Sequence, residues 1–321
     1  MRKVFPALLA VLALAATSAC GGNSSPAPQS AAPGQPAKVK VGVIAIVDVA
    51  PIYLGKEKGF FSKRGIDLTL ETSQGGAAIV PAVMSGQYTF GFSNITSLVL
   101  AKSRGLPVKM VSNGVASTGV AGKDFAGVVV KGDSPIKTAA DLSGRTVSVN
   151  TLKNIGDTTV RASVRKAGGN PADIKFTELA FPDMPAALQA GRVDAAWVVE
   201  PFLTTAIEQG ARLVASNYVD AAPNLTIASY FTTEQVATGQ KDLVGKFQEA
   251  MKESLAYADA NPDEVRRVIT TYTSIKPELA AKIALPTFPA EINKASVQTL
   301  TDLAVGDKLL DKAPALDTLL P

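Results

Sequence analysis

The stretch VKVGVIAIVDVAPIYLGKEKGFFSKRGIDLTLET, residues 39–72, sets the reading of the whole chain. An apolar run with β-branched residues (39–47) reads as a strand, 52–64 as a helix closed by Gly65, and 67–72 as the next strand. A strand, helix, strand order of this length is the unit from which α/β proteins with largely parallel sheets are built.

The same alternation continues outward from it. A first array adds a helix at 77–85, a strand at 89–92, a helix at 95–103 and a strand at 108–113. A second array follows, with strands at 127–131, 146–150, 175–179, 195–199 and 212–215. Helices at 138–142, 157–167, 184–190 and 202–209 lie between them. A strand at 225–232 then leads into a helix-rich last third, with long helices at 241–260 and 262–272. Two βα arrays with a double crossing between them imply two lobes and a cleft. The expected division is 39–125 plus 230–321 for the first lobe and 126–229 for the second, with hinges near 122–127 and 227–232.

Upstream of the body, Arg2 and Lys3 precede an apolar stretch (5–16) too short to span a bilayer, followed by small residues up to Cys20. Residues 1–19 read as a secretory signal. Ser18, Ala19 and Cys20 match the small-small-Cys end of bacterial lipoprotein signals, although Thr17 stands where leucine is usual. Cys20 is the chain's single cysteine and reads as a lipidation site carrying acyl groups such as palmitate, rather than half of a disulfide. Residues 20–38, rich in Gly, Ser, Pro and Ala, then form a flexible tether. The mature protein is expected outside the cytoplasm, anchored to the cell membrane by lipid.

Composition removes several function classes. The chain has no histidine, so Ser-His and Cys-His hydrolase chemistry lacks its usual base, and no His/Cys set can hold a metal. The net charge of +4 is small for 321 residues and no basic run is interleaved with aromatics, which argues against nucleic-acid binding. No cofactor is expected, and the body is read as a monomer.

In open α/β sheets ligands lie beyond the C-terminal strand ends, beside helix N-termini with unpaired N–H groups. Three loops suit that position: TSQGGAA (72–78) with Gly75, Gly76 and Ala77; FSNITS (92–97) with Ser93 and Asn94; and VNTLKNIGDTT (149–159) with Thr151, Asn154 and Gly156. Each alone is also an ordinary capping or turn sequence. Asn113 closes its strand, and the first strand runs into Asp48, Val49 and Pro51, which should line the first-lobe wall. Asp48 either meets an amine on a ligand or caps the following helix. Glu200, at the end of its strand before Pro201, either accepts a hydrogen bond from a ligand donor or forms a hinge-side salt bridge. Trp197 reads as core packing. With carboxylates at Asp48 and Glu200 and helix N-termini near Gly76, Asn94, Ile95 and Gly156 for any anionic group, an amine-bearing or zwitterionic solute is expected.

Three segments carry a family resemblance. PIYLGKEKGFFSKRGIDLTLE (51–71), DSPIKTAADLSGRTVSVN (133–150) and ALQAGRVDAAWVVEPF (187–202) resemble, in order and spacing, the solute-binding proteins of ABC importers. The likeness is to the nitrate/sulfonate/taurine branch that includes thiamine-precursor binders. It implies two Rossmann-like lobes of the periplasmic-binding-protein type II (Venus flytrap) fold with two hinge strands, closing on a small organic solute for delivery to an ABC permease. The alternatives are an enzyme on the same fold, related to pyrimidine-precursor or menaquinone synthesis, or a ligand sensor for a membrane receptor.

Overall fold

Ten strands form among residues 35–321, the part of the chain that the computed structural model describes. They are β1 (Ala37–Val43), β2 (Ile66–Thr72), β3 (Phe90–Asn94), β4 (Val108–Ala116), β5 (Ala126–Lys131), β6 (Thr146–Val149), β7 (Lys175–Glu178), β8 (Ala195–Val199), β9 (Ala211–Ala215) and β10 (Thr226–Thr233). The helices through the second array are α1 (Ala50–Glu57), α2 (Gly76–Met84), α3 (Ile95–Ser103), α4 (Ile155–Lys166), α5 (Met184–Gln189), α6 (Phe202–Glu208) and α7 (Asn217–Ala221). The last third carries α8 (Glu234–Gly239), α9 (Lys241–Ala260), α10 (Pro262–Ile269), α11 (Pro277–Ala280), α12 (Lys294–Gly306) and α13 (Leu316–Leu319). The signal, Cys20 and nearly all of the tether lie outside the described residues.

The strands make two five-stranded sheets, ordered β2-β1-β3-β10-β4 and β7-β6-β8-β5-β9, one in each lobe. The two lobes expected from the double crossing are therefore present. The sheets are also largely parallel, four strands of each running the same way, with one strand against them: β10 is antiparallel to β3 and β4, and β5 to β8 and β9. Each of these two strands enters its sheet from the other lobe rather than from a neighbouring strand of the same sheet. Apolar alternation marks a strand but not its direction.

The crossings are residues 117–125 and 216–225, lying side by side. Ser117 N donates to the Leu225 carbonyl (2.9 Å) and Gly122 N to Ser216 Oγ (2.8 Å). Asp124, buried, accepts from Ser117 Oγ, Thr118 N, Thr118 Oγ1 and Phe125 N, which fixes the first crossing. The second crossing ends by Thr226, ahead of the expected boundary at 229/230, because all of β10 belongs to the first sheet. Residues 227–232 are thus a central strand of the first lobe rather than the connector itself.

The first lobe closes on α9. Its buried residues Val244, Phe247, Met251, Leu255 and Ala258 recur at helical spacing and pack on α1 and β4. The chain beyond α11 touches both lobes. Thr287 bridges to Ala116, Ala284 N donates to Glu200 Oε1 (3.1 Å), and Lys282 pairs with Glu208 (2.9 Å). Farther along, α12 packs on both α3 and α4, and Arg165 pairs with Asp307.

Candidate functional site

The C-terminal ends of β1, β3, β6 and β8 face one another across the lobes, as strand direction in open sheets requires of a ligand site. Between them lies a cavity of about 20 Å³. The first lobe contributes Ile44, Ile46, Asp48, Phe92, Asn94 and residues of β10. The second contributes Asn150, Ile155, Phe181, Trp197, Val199 and Tyr218. An adjoining cavity of about 260 Å³ shares Ile44, Ile46 and Phe181 and extends past Gln74, Pro182 and Phe202. Organic ligands occupy pockets of about 300–1,000 Å³, so admitting one requires the lobes to part or the walls to shift.

Asp48 sits in a single 3-10 turn, Val47–Val49, that joins β1 to α1. It does not cap α1, whose N-cap position is Val49 and receives no side-chain bond. The side chain is 3% exposed and Oδ1 has no hydrogen-bond partner. Burial pushes the carboxyl up to about 7, helped by the nearby negative charge of Asp124 and opposed by a backbone N–H bond. No lysine or arginine lines the cavity, so this acceptor has no resident cation. Tyr218, also buried, has its phenol raised well above its usual value, first by burial and then by the charges of Asp48 and Asp124.

Glu200 is set differently from the sequence expectation. Its carboxylate accepts from Thr204 N (3.0 Å), Thr204 Oγ1 (2.7 Å) and Ala284 N (3.1 Å), and it is not among the cavity's lining residues. Its partners are amides and a hydroxyl rather than a cation. The residue ties α6 to the C-terminal segment, with its carboxyl pushed by burial up to about 7 against those hydrogen bonds. Strand alternation alone could not show that the segment after α11 returns to cover this strand end.

The three loops divide. Asn94 and Asn154 spend their side-chain oxygens on their own helices, accepting from Ser97 N and Gly156 N (2.9 Å each). Of these two caps, Asn94 also lines the cavity. The α2 N-terminus has no side-chain cap. A Cβ on Gly76 would lie 2.2 Å from Ser93 Oγ, itself buried and without a partner. A Cβ on Gly75 would lie 2.7 Å from Thr151 Oγ1 and 3.0 Å from Asn150 Nδ2, so the second lobe closes directly onto this backbone. Ala77 is exposed, in a separate groove with Leu152 and Lys153. Val49, the N-cap residue of α1, and Pro51, in its first turn, are buried and do not line the cavity, and Asn113 donates to the Pro289 carbonyl (2.6 Å). Gly156 packs on Trp197, where a Cβ would approach Cε3 to 2.5 Å.

Gly75→Val is therefore expected to hold the lobes apart. Its φ of −174° is extended backbone open to any residue, so the effect is steric and confined to closure. Solute affinity should fall by roughly tenfold or more with thermal stability little changed, because opening relieves the clash. Calorimetric titration and a thermal scan on the same variant check this.

Sequence reasoning missed Asn150, Ile155, Phe181, Tyr218 and the cavity-facing position of Trp197. The aromatic ones form a chain: Phe181 and Trp197 rings lie 5.4 Å apart, Trp197 and Tyr218 6.2 Å. Apolar residues at such positions carry the same pattern as core, so no local signal separates them.

The chain is similar to known proteins in sequence and in fold. The chain is 25% identical over 252 residues to the riboflavin-binding protein RibY of Chloroflexus aurantiacus, covering 77% of this chain and 69% of that one. It is 24% identical over 225 residues to the formylaminopyrimidine-binding protein of Halalkalibacterium halodurans, covering 68% and 65%. In fold it is similar to the alkanesulfonate-binding protein SsuA from Xanthomonas axonopodis pv. citri bound to MOPS, with a TM-score of 0.75, 18% identity, and 90% and 100% of the two chains covered. The two lobes are thus those of the periplasmic-binding-protein fold, as the resemblance implied. The model of the family described as NMT1/THI5 like matches residues 46–265, well over half of the sequence, and the chain belongs to that family.

Proposed function

We propose that the protein is the extracytoplasmic receptor of an ABC importer, capturing a small organic solute between its lobes and delivering it unchanged to a permease. The observation that carries this reading is Asp48: a buried carboxylate oxygen without a partner, in a cavity walled by both lobes. A buried acceptor is costly unless something pairs with it, and a solute held by the closed lobes supplies the donor. The solute is accordingly amine-bearing or zwitterionic, with its donor at Asp48 and any anionic group near the uncapped α2 N-terminus. Attachment is through lipid on Cys20. Among the described residues no helix is long and apolar enough to cross a membrane. Relatives named as binding proteins support a receptor rather than an enzyme. Native mass spectrometry of protein purified without denaturation tests the reading: a stoichiometric, unmodified small molecule supports it, and a mixture of substrate and product contradicts it.

The buried carboxyls fix a pH dependence. Asp48 and Glu200 are raised to about 7 and Asp157 to about 6, all chiefly by burial. The folded state therefore holds protons that the unfolded chain has released, and this contribution to stability is lost as pH rises through the folded values. The thermal midpoint of the ligand-free protein is expected to fall between about pH 4 and about pH 7 and to level off above that. A flat or rising profile in scanning calorimetry would show these carboxyls to be ionised in the fold.

A further inference from the structure

Two buried polar atoms at the interlobe cavity lack partners, and they stand on opposite lobes with opposite hydrogen-bonding character. Asp48 Oδ1, on the first lobe, accepts. Trp197 Nε1, on β8 of the second lobe, belongs to a side chain 2% exposed, and an indole nitrogen only donates. Buried donors in folded proteins nearly always have an acceptor, so an exception beside a cavity calls for one. The rest of the indole is well held: Phe181 lies against it, Tyr218 meets it edge-on, and α4 approaches its six-membered ring at Gly156.

We propose that Trp197 is a recognition residue: its indole N–H donates to an acceptor atom of the solute while Asp48 accepts from a donor on the same molecule. Phe92, Phe181 and Tyr218 hold the flat body between these two points. The inference rests on the receptor reading and narrows its ligand to planar nitrogen heterocycles that carry a donor and an acceptor in the ring plane. A flat ring demands the least separation of a cavity that measures about 20 Å³ between aromatic walls. Nitrate or a sulfonate without an amine has no donor for Asp48, and the sulfonate group of taurine, like nitrate, finds no cationic side chain lining the site.

The test uses cytosine, adenine and riboflavin as heterocycle probes against putrescine, taurine and nitrate, by thermal shift and calorimetric titration. The chain's single tryptophan gives one indole N–H resonance, which reports this hydrogen bond directly and needs no variant. At least one heterocycle is expected to stabilise the protein and to move that resonance downfield. Trp197→Phe, which keeps a ring in the wall, should then weaken the same heterocycle roughly tenfold. A heterocycle that binds with the resonance unmoved, or binds Trp197→Phe as tightly as wild type, overturns the inference. Stabilisation by putrescine, taurine or nitrate alone also overturns it and leaves the receptor reading standing. No response to any probe overturns it as well, and the receptor reading then rests on the native mass spectrum.

Discussion

Replacing Asp48 by asparagine is expected to raise the thermal stability of the ligand-free protein at about pH 8 and to weaken solute binding roughly 10- to 100-fold. The two effects share one cause. Above pH 7 the folded protein carries a charge at a position 3% exposed, with Asp124 adding repulsion and no cation beside it. Asparagine keeps the shape and removes the charge, so the folded state no longer bears the desolvation cost of an ionised carboxylate. The solute loses a charge-assisted hydrogen bond, worth about 1.5–3 kcal/mol, and gains nothing in exchange. Stability given up for a binding group is a common trade at functional sites. Scanning calorimetry and titration of wild type and variant at the same pH decide it. A variant that is less stable at alkaline pH and binds as tightly as wild type would assign Asp48 a purely structural role.

Phe247→Ala should be the most damaging single truncation in the first lobe, at about 3–5 kcal/mol. The ring is fully buried on α9, stacked on Phe90 at 4.0 Å with the planes 9° apart. Phe61 lies 5.8 Å away and Tyr230 meets it edge-on at 6.0 Å. These partners come from the turn after α1 and from β3 and β10, so the cavity left by the ring has rigid walls on several sides and collapses poorly. A loss of this size is a large part of the roughly 5–15 kcal/mol that holds a domain together. Denaturant unfolding measures it directly, and a cost below about 1 kcal/mol would mean that the aromatic cluster repacks freely.

What the chain revealed of itself before folding follows from the range of the forces involved. The helix at 241–260 was fully legible, since its apolar residues recur on one face and Pro262 opens the next helix. The apolar run predicts a first strand over 39–47, but β1 ends at Val43, because the following apolar residues are consumed by the cleft: Val47 N donates to the Glu200 carbonyl of the other lobe (3.0 Å). The helix read as 52–64 stops at Glu57, where Gly59 takes a positive φ of 76° and the chain turns back toward β2. Asp48 could be named from its place at a strand end, since a charge there breaks an apolar run. Tyr218 could not, because it reaches the cavity from a short helix on the second crossing, α7, and not from a strand end. Glu200 had the right position along its strand, but its partner Ala284 lies beyond any local pattern.

The emission of Trp197 tests the central claim most directly. It is the only tryptophan in the chain and it lines the interlobe cavity, so its fluorescence reports on that site alone. Titration with a solute that binds is predicted to change this emission saturably, at one solute per protein, with the compound recovered unaltered. Saturable binding that leaves the emission untouched, or conversion of the compound during the titration, would contradict the account of an interlobe solute receptor.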